Sequence, residues 1–96
     1  MNEDSITIII VDDSKEVTDY FKRILSNEQD MVVLGEANTK GEALKLIDEA
    51  KPNIVLTDIQ METEETGIEI ARYVKENYSE IKVIVLTIHE EDDLAV

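Results

Sequence analysis

Three short apolar runs end on polar side chains, and this limits what the chain can fold into more than any other feature. Ile6-Thr7-Ile8-Ile9-Ile10-Val11 stops at Asp12 and Asp13, Asn53-Ile54-Val55-Leu56-Thr57 stops at Asp58, and Ile81 to Leu86 stops at Thr87. Runs this short, β-branched and uninterrupted suit strands buried on both faces of a parallel sheet. In open α/β sheets, ligands bind beyond the carboxyl ends of the strands, where the strand order reverses. A packed core does not tolerate unpaired carboxylates, so aspartates at strand ends mark a site. Thr87 places a hydroxyl at the equivalent point of a third strand.

The segments between these runs have helical periodicity. From Ser14 to Ser26, the residues Val17, Tyr20, Phe21, Ile24 and Leu25 form one apolar stripe. Asp13 or Ser14 can cap that helix, and Glu16 in its first turn suits the dipole. Met31 to Ala37 reads as a second strand. Thr39-Lys40-Gly41-Glu42 has capping-box spacing and opens a second helix, with Ala43, Ile47 and Ala50 on its inner face and Leu44 and Leu46 widening it. Pro52 stops that helix. A polar loop from Gln60 to Thr66 closes at Gly67, and a third helix from about Ile68 to Tyr78 buries Ile70, Ala71 and Val74. The order β-α-β-α-β-α-β calls for parallel pairing through right-handed crossovers. The expected fold is a flavodoxin-like, doubly wound α/β sheet of strand order 2-1-3-4.

Ninety-six residues, 43% of them hydrophobic, make one small domain over residues 1–96. With 23 acids against 9 bases the net charge is −14, which argues against nucleic-acid binding by this domain. There is no cysteine, hence no disulfide framework and no thiolate metal site. Nothing resembles a signal peptide or a membrane span, so a cytoplasmic location is expected.

If the first and third strands are neighbours, Asp12, Asp13 and Asp58 converge. At about 5 Å and an effective dielectric of about 20, each pair of charges repels by roughly 3 kcal/mol. Such a cluster holds a proton or a cation. Its ligands are all oxygen, which favours Mg²⁺ over zinc or copper. A carboxylate can also attack phosphorus and become an acyl phosphate. Asp58, alone on its strand end, is the candidate acceptor, with Asp12 and Asp13 left to hold the metal.

Val11-Asp12-Asp13-Ser14, Asp58-Ile59-Gln60-Met61 and Val85-Leu86-Thr87, in this order and spacing, resemble the receiver domain of two-component response regulators. The resemblance covers the whole chain. It implies that Asp58 takes a phosphoryl group from a sensor histidine kinase. It also implies that Asp12, Asp13, Asp58 and the main-chain carbonyl of Gln60 bind Mg²⁺, and that Thr87 is the switch hydroxyl. Leu86 to Asp92 further resembles receivers followed by a helix-turn-helix output domain, so a full-length parent would regulate transcription. A signalling domain is implied rather than an enzyme: a phosphatase of this kind adds an acid/base carboxylate two residues after the nucleophile, and position 60 is Gln.

The chain departs from the family pattern in two places. Where the family has Met-Pro, Met61 is followed by Glu62, and the stretch Glu62-Thr63-Glu64-Glu65-Thr66 before Gly67 is about one residue longer than the family's short loop. These acids either face solvent, the favoured reading, or raise the cost of adding a phosphoryl group. The sequence also stops at Val96, before the fifth strand with its lysine and the last helix. A charge-assisted contact contributes about 1.5–3 kcal/mol, so loss of the lysine would slow phosphotransfer by about one to two orders of magnitude. The alternative function is a phosphorylation-impaired interaction module. The apolar edge Val83-Ile84-Val85-Leu86 would invite a homodimer through the fourth strand. His89, the single histidine, reads as a loop residue.

Overall fold

The structure, a computed structural model, describes residues 4–86. Thr87, His89 and the tail to Val96 lie outside the described residues. Four strands, β1 (Ile6–Val11), β2 (Met31–Ala37), β3 (Ile54–Asp58) and β4 (Lys82–Leu86), alternate with three helices, α1 (Lys15–Ser26), α2 (Lys40–Ala50) and α3 (Thr66–Asn77). The sheet is parallel throughout and ordered β2-β1-β3-β4. The direction of winding reverses after β2, so right-handed crossovers put α1 on one face and α2 and α3 on the other.

The core lies on the α2/α3 face. Ile9, Val11, Ala37, Val55 and Ile81 meet Ala43 and Ile47 of α2 and Ile70 and Val74 of α3 in one cluster. The central strand β1 is covered on both faces, as its continuous apolar run requires: Ile8, Ile9, Ile10 and Val11 are all buried. On β3 only Val55 and Thr57 are buried, while Ile54 and Leu56 are half-covered. On β4, Ile84 is 46% exposed. Burial on both faces therefore holds for β1 and not for β3 or β4, because α1 packs over β1 and β2.

The apolar stripe expected on α1 is also corrected. Val17, Phe21 and Leu25 turn inward, but Tyr20 and Ile24 stay exposed, and the helix residue that is buried is Thr18. Glu36 of β2 sets this rotation. Its carboxylate accepts from Thr18 Oγ1 at 2.8 Å and from Lys22 Nζ at 2.6 Å, and so draws the polar edge of the helix onto the sheet. The helix starts follow local rules. Ser14 Oγ accepts from the Val17 amide and Thr39 Oγ1 from the Glu42 amide. Glu42 completes the second cap on the Asn38 amide at 2.9 Å, one residue earlier than a standard capping box. At the other end of α2, Lys51 turns left-handed at φ 45° and hands the chain to the buried Pro52.

Helix α3 begins at Thr66, two residues earlier than its apolar periodicity suggests. A reciprocal staple explains the difference. The Thr63 amide donates to Thr66 Oγ1 at 2.9 Å, and Thr66 Oγ1 donates to the Thr63 carbonyl at 3.2 Å. Two threonines in a polar loop carry no hydropathy signal, so the periodicity misses them.

Candidate functional site

The site lies where the strand order reverses, at the carboxyl ends of β1 and β3. These strands run in register, with Val11 opposite Thr57, so Asp12 and Asp58 follow side by side. Asp12, Asp13 and Asp58 each place a carboxylate oxygen within 4.8 Å of the other two. The convergence expected of the first and third strand ends is realised for these three residues, while Thr87, on the fourth, lies outside the described residues. Asp12 is 7% exposed, Asp58 half-buried and Asp13 exposed.

The carboxylates of Asp12 and Asp58 are held by the local chain. Asp12 Oδ1 accepts from the Ser14 amide at 2.8 Å, so Ser14 joins the strand end to the start of α1. Asp58 Oδ1 accepts from the Gln60 amide at 3.4 Å, a long bond that still orients the carboxylate toward its own loop. Burial pushes the Asp12 carboxyl above the usual carboxylate range. The Ser14 amide opposes that shift, and the charges of Asp58 and Asp13 add to it. A buried acid among acids gains from a proton or a cation, and this donor set is oxygen only.

Gly67 closes the loop after Asp58. Its amide donates to the Ile59 carbonyl at 2.9 Å. A Cβ at Gly67 would land on the Asp58 carbonyl oxygen and stand 2.7 Å from Ile59 Cα. Glycine is required here by close approach of two backbones. Met61 packs against the main core and anchors the loop from beneath.

Two contributors escaped the sequence reading. Asn38, just past the end of β2, donates from Nδ2 to the Asp12 carbonyl at 2.9 Å. Glu62 is exposed, as expected, and its carboxylate also accepts from the Lys40 amide at 2.8 Å, at the first turn of α2. A carboxylate fits that end of a helix, where free amides and the dipole meet it. The departure from Met-Pro was the available signal for Glu62, but the partner lies 22 residues away in the chain. For Asn38 the available signal was its place at a strand end.

A family model for the response regulator receiver domain matches residues 8–96. The chain belongs to that family. The receiver is 33% identical over 92 residues to the transcriptional regulatory protein DegU of Brevibacillus brevis, covering 96% of this chain and 39% of the relative. It is 31% identical over 86 residues to the oxygen regulatory protein NreC of Staphylococcus haemolyticus, covering 90% and 40%. Among solved structures, a two-component response regulator of the LuxR family from Aurantimonas sp. superposes with a TM-score of 0.80 at 27% identity, over 95% of this chain and 64% of that one. The receiver thus spans about two fifths of the length of these two relatives. Among its described residues, no helix is long and apolar enough to cross a membrane.

Proposed function

We propose that this receiver accepts a phosphoryl group on Asp58 from a sensor histidine kinase in the cytoplasm. On this reading its parent response regulator controls transcription through a separate output domain. The observation that carries this reading is the approach of Asp12, Asp13 and Asp58 to within 4.8 Å at the strand-order reversal. Three mutually repelling carboxylates, one of them buried, suit Mg²⁺. Asp12, Asp13, Asp58 and the main-chain carbonyl of Gln60 would hold it. When bound, the ion neutralises negative charge on the incoming phosphoryl oxygens.

The protein's own part is positioning. Asp58 Oδ attacks phosphorus, the P–N bond to the donor imidazole breaks, and its electron pair returns to the ring nitrogen. The product is an acyl phosphate on Asp58. The Gln60 amide steadies the attacking carboxylate, Gly67 lets α3 start against it, and Thr87 would supply a hydroxyl to the new phosphoryl group. The relatives' names, a transcriptional and an oxygen regulatory protein, support the regulatory setting. Self-association along β4, the edge of the described sheet, belongs to the same reading. Light scattering over a concentration series tests that part, and a constant monomer mass would remove it.

Intact mass after incubation with Mg²⁺ and acetyl phosphate tests the main reading. One phosphoryl adduct is expected, absent without Mg²⁺ and absent in Asp58→Asn. Persistent labelling of the variant would overturn the acceptor assignment. A folded wild-type chain that takes no label would overturn phosphoacceptance by this domain.

A further inference from the structure

The loop between β2 and α2 touches both halves of the acidic site. On one side Asn38 Nδ2 holds the Asp12 carbonyl at 2.9 Å, and the Asp12 amide donates to the Ala37 carbonyl at 3.0 Å. On the other side the Lys40 amide donates to Glu62 Oε1 at 2.8 Å, and Lys40 Nζ reaches Glu69 Oε1 on α3 at 3.3 Å. Between these ends the loop is locked on itself. Thr39 Oγ1 accepts from the Glu42 amide at 3.1 Å, and Glu42 Oε1 accepts from the Asn38 amide at 2.9 Å. Two hydrogen bonds, joined by the main chain from Asn38 to Lys40, therefore link the Asp12 carbonyl to Glu62, two residues beyond Gln60.

We propose that Asn38 and Glu62 are positioning residues that fix the separation between the Asp12–Asp13 strand end and the Gln60–Glu62 loop, and so set the affinity of the site for Mg²⁺. This rests on the reading of Asp12, Asp13, Asp58 and Gln60 as the metal ligands. The physical reason is preorganisation. Ligands supplied by two separate segments bind a small, geometrically strict cation well only if the segments are already spaced for it. Glu62 acts here through its hydrogen bond and not through its charge. A role in position and a role in charge give opposite results for two substitutions. Glu62→Gln keeps a carbonyl oxygen for the Lys40 amide, whereas Glu62→Ala keeps nothing. If the charge mattered, both variants would relieve repulsion and behave alike.

The test is a Mg²⁺ titration followed by the amide resonances of Asp12, Asp13 and Asp58 at fixed ionic strength, with amide hydrogen exchange of residues 60–66 measured in metal-free protein. Glu62→Ala and Asn38→Ala are each expected to weaken Mg²⁺ binding by about tenfold, and Glu62→Ala to speed exchange across the loop. Glu62→Gln is expected to stay within about twofold of wild type on both readouts. Equal behaviour of Glu62→Gln and Glu62→Ala would overturn the inference, as would wild-type Mg²⁺ affinity in Glu62→Ala with faster loop exchange, which leaves a brace for folding only. Unchanged loop exchange in a folded Glu62→Ala would overturn it without reference to any metal. A wild-type chain whose three aspartates do not respond to Mg²⁺ would instead sink the ligand assignment itself, and the inference with it.

Discussion

Gly67 and Asp58 lie in direct backbone apposition, so close that a Cβ on the glycine would occupy the aspartate's carbonyl oxygen. The obstacle is main chain on both sides, and main chain cannot swing aside as a side-chain tip can. Gly67→Ala is therefore expected to cost about 1–3 kcal/mol of folding free energy. It should also slow labelling of Asp58, because the strand end must shift to make room. Urea denaturation read beside intact-mass labelling checks both effects.

Asp12→Asn should separate the cost of the acidic cluster from its use. Asparagine keeps an oxygen for the Ser14 amide and removes one of three crowded charges. The metal-free variant is expected to be more stable than wild type by about 1–2 kcal/mol. Wild type should gain about 2.7 kcal/mol from Mg²⁺ at a hundredfold excess over its Kd, and the variant should gain little. Thermal melts with and without Mg²⁺ report both quantities.

Glu36 predicts an acid limb in the stability profile. The Lys22 ammonium foremost, then Thr18 and Lys15, hold its carboxyl down at about 2, against an ordinary value of 4.5. A depressed acid stabilises the fold at pH values above its unfolded value, and the contribution fades as pH falls from about 4.5 toward 2. Glu36→Gln should cost about 1–2 kcal/mol at neutral pH, allowing for solvent screening, and nothing beyond wild type near pH 2. Denaturant midpoints across that range provide the check.

Tyr78 predicts the alkaline counterpart. Its hydroxyl donates to Asp48 Oδ1 at 2.6 Å, and the phenol is pushed up to about 12, first by that bond and then by burial. The contribution is fully present below the ordinary value of 10 and lost as pH rises through about 12. Asp48→Asn should return the Tyr78 transition toward 10 in an ultraviolet titration. An unmoved transition would show that the bond is not formed in solution.

Much of this was legible in the sequence, for identifiable reasons. Strands β1 and β3 announced themselves as short, uninterrupted apolar runs, although only β1 is covered on both faces, and Asp12, Asp13 and Asp58 stood out because no core would keep them. The start of α2 was readable from Thr39 and Glu42, whose spacing encodes a local hydrogen-bond pattern. Contacts between distant residues were not readable. Thr18, Lys22 and Glu36 lie on two elements, and only their meeting explains why Tyr20 and Ile24 face outward. Asn38 and Glu62 each look like ordinary surface residues until the fold sets the β2–α2 loop between the two strand ends. Tyr73 and Tyr78 carry no mark of a shared role in the sequence, because their common partner Asp48 belongs to α2.

Helix α2 is pinned at both ends to the segment that follows Asp58. At its first residue the Lys40 amide is tied to Glu62 and its ammonium to Glu69, and near its last turn Asp48 takes the hydroxyls of Tyr73 and Tyr78. A strut fixed at two points cannot pivot. Any displacement that begins at Asp58 must carry α2 and α3 along together as one panel, or pass them by and travel into β4, whose Leu86 carbonyl accepts the Ile59 amide at 3.0 Å.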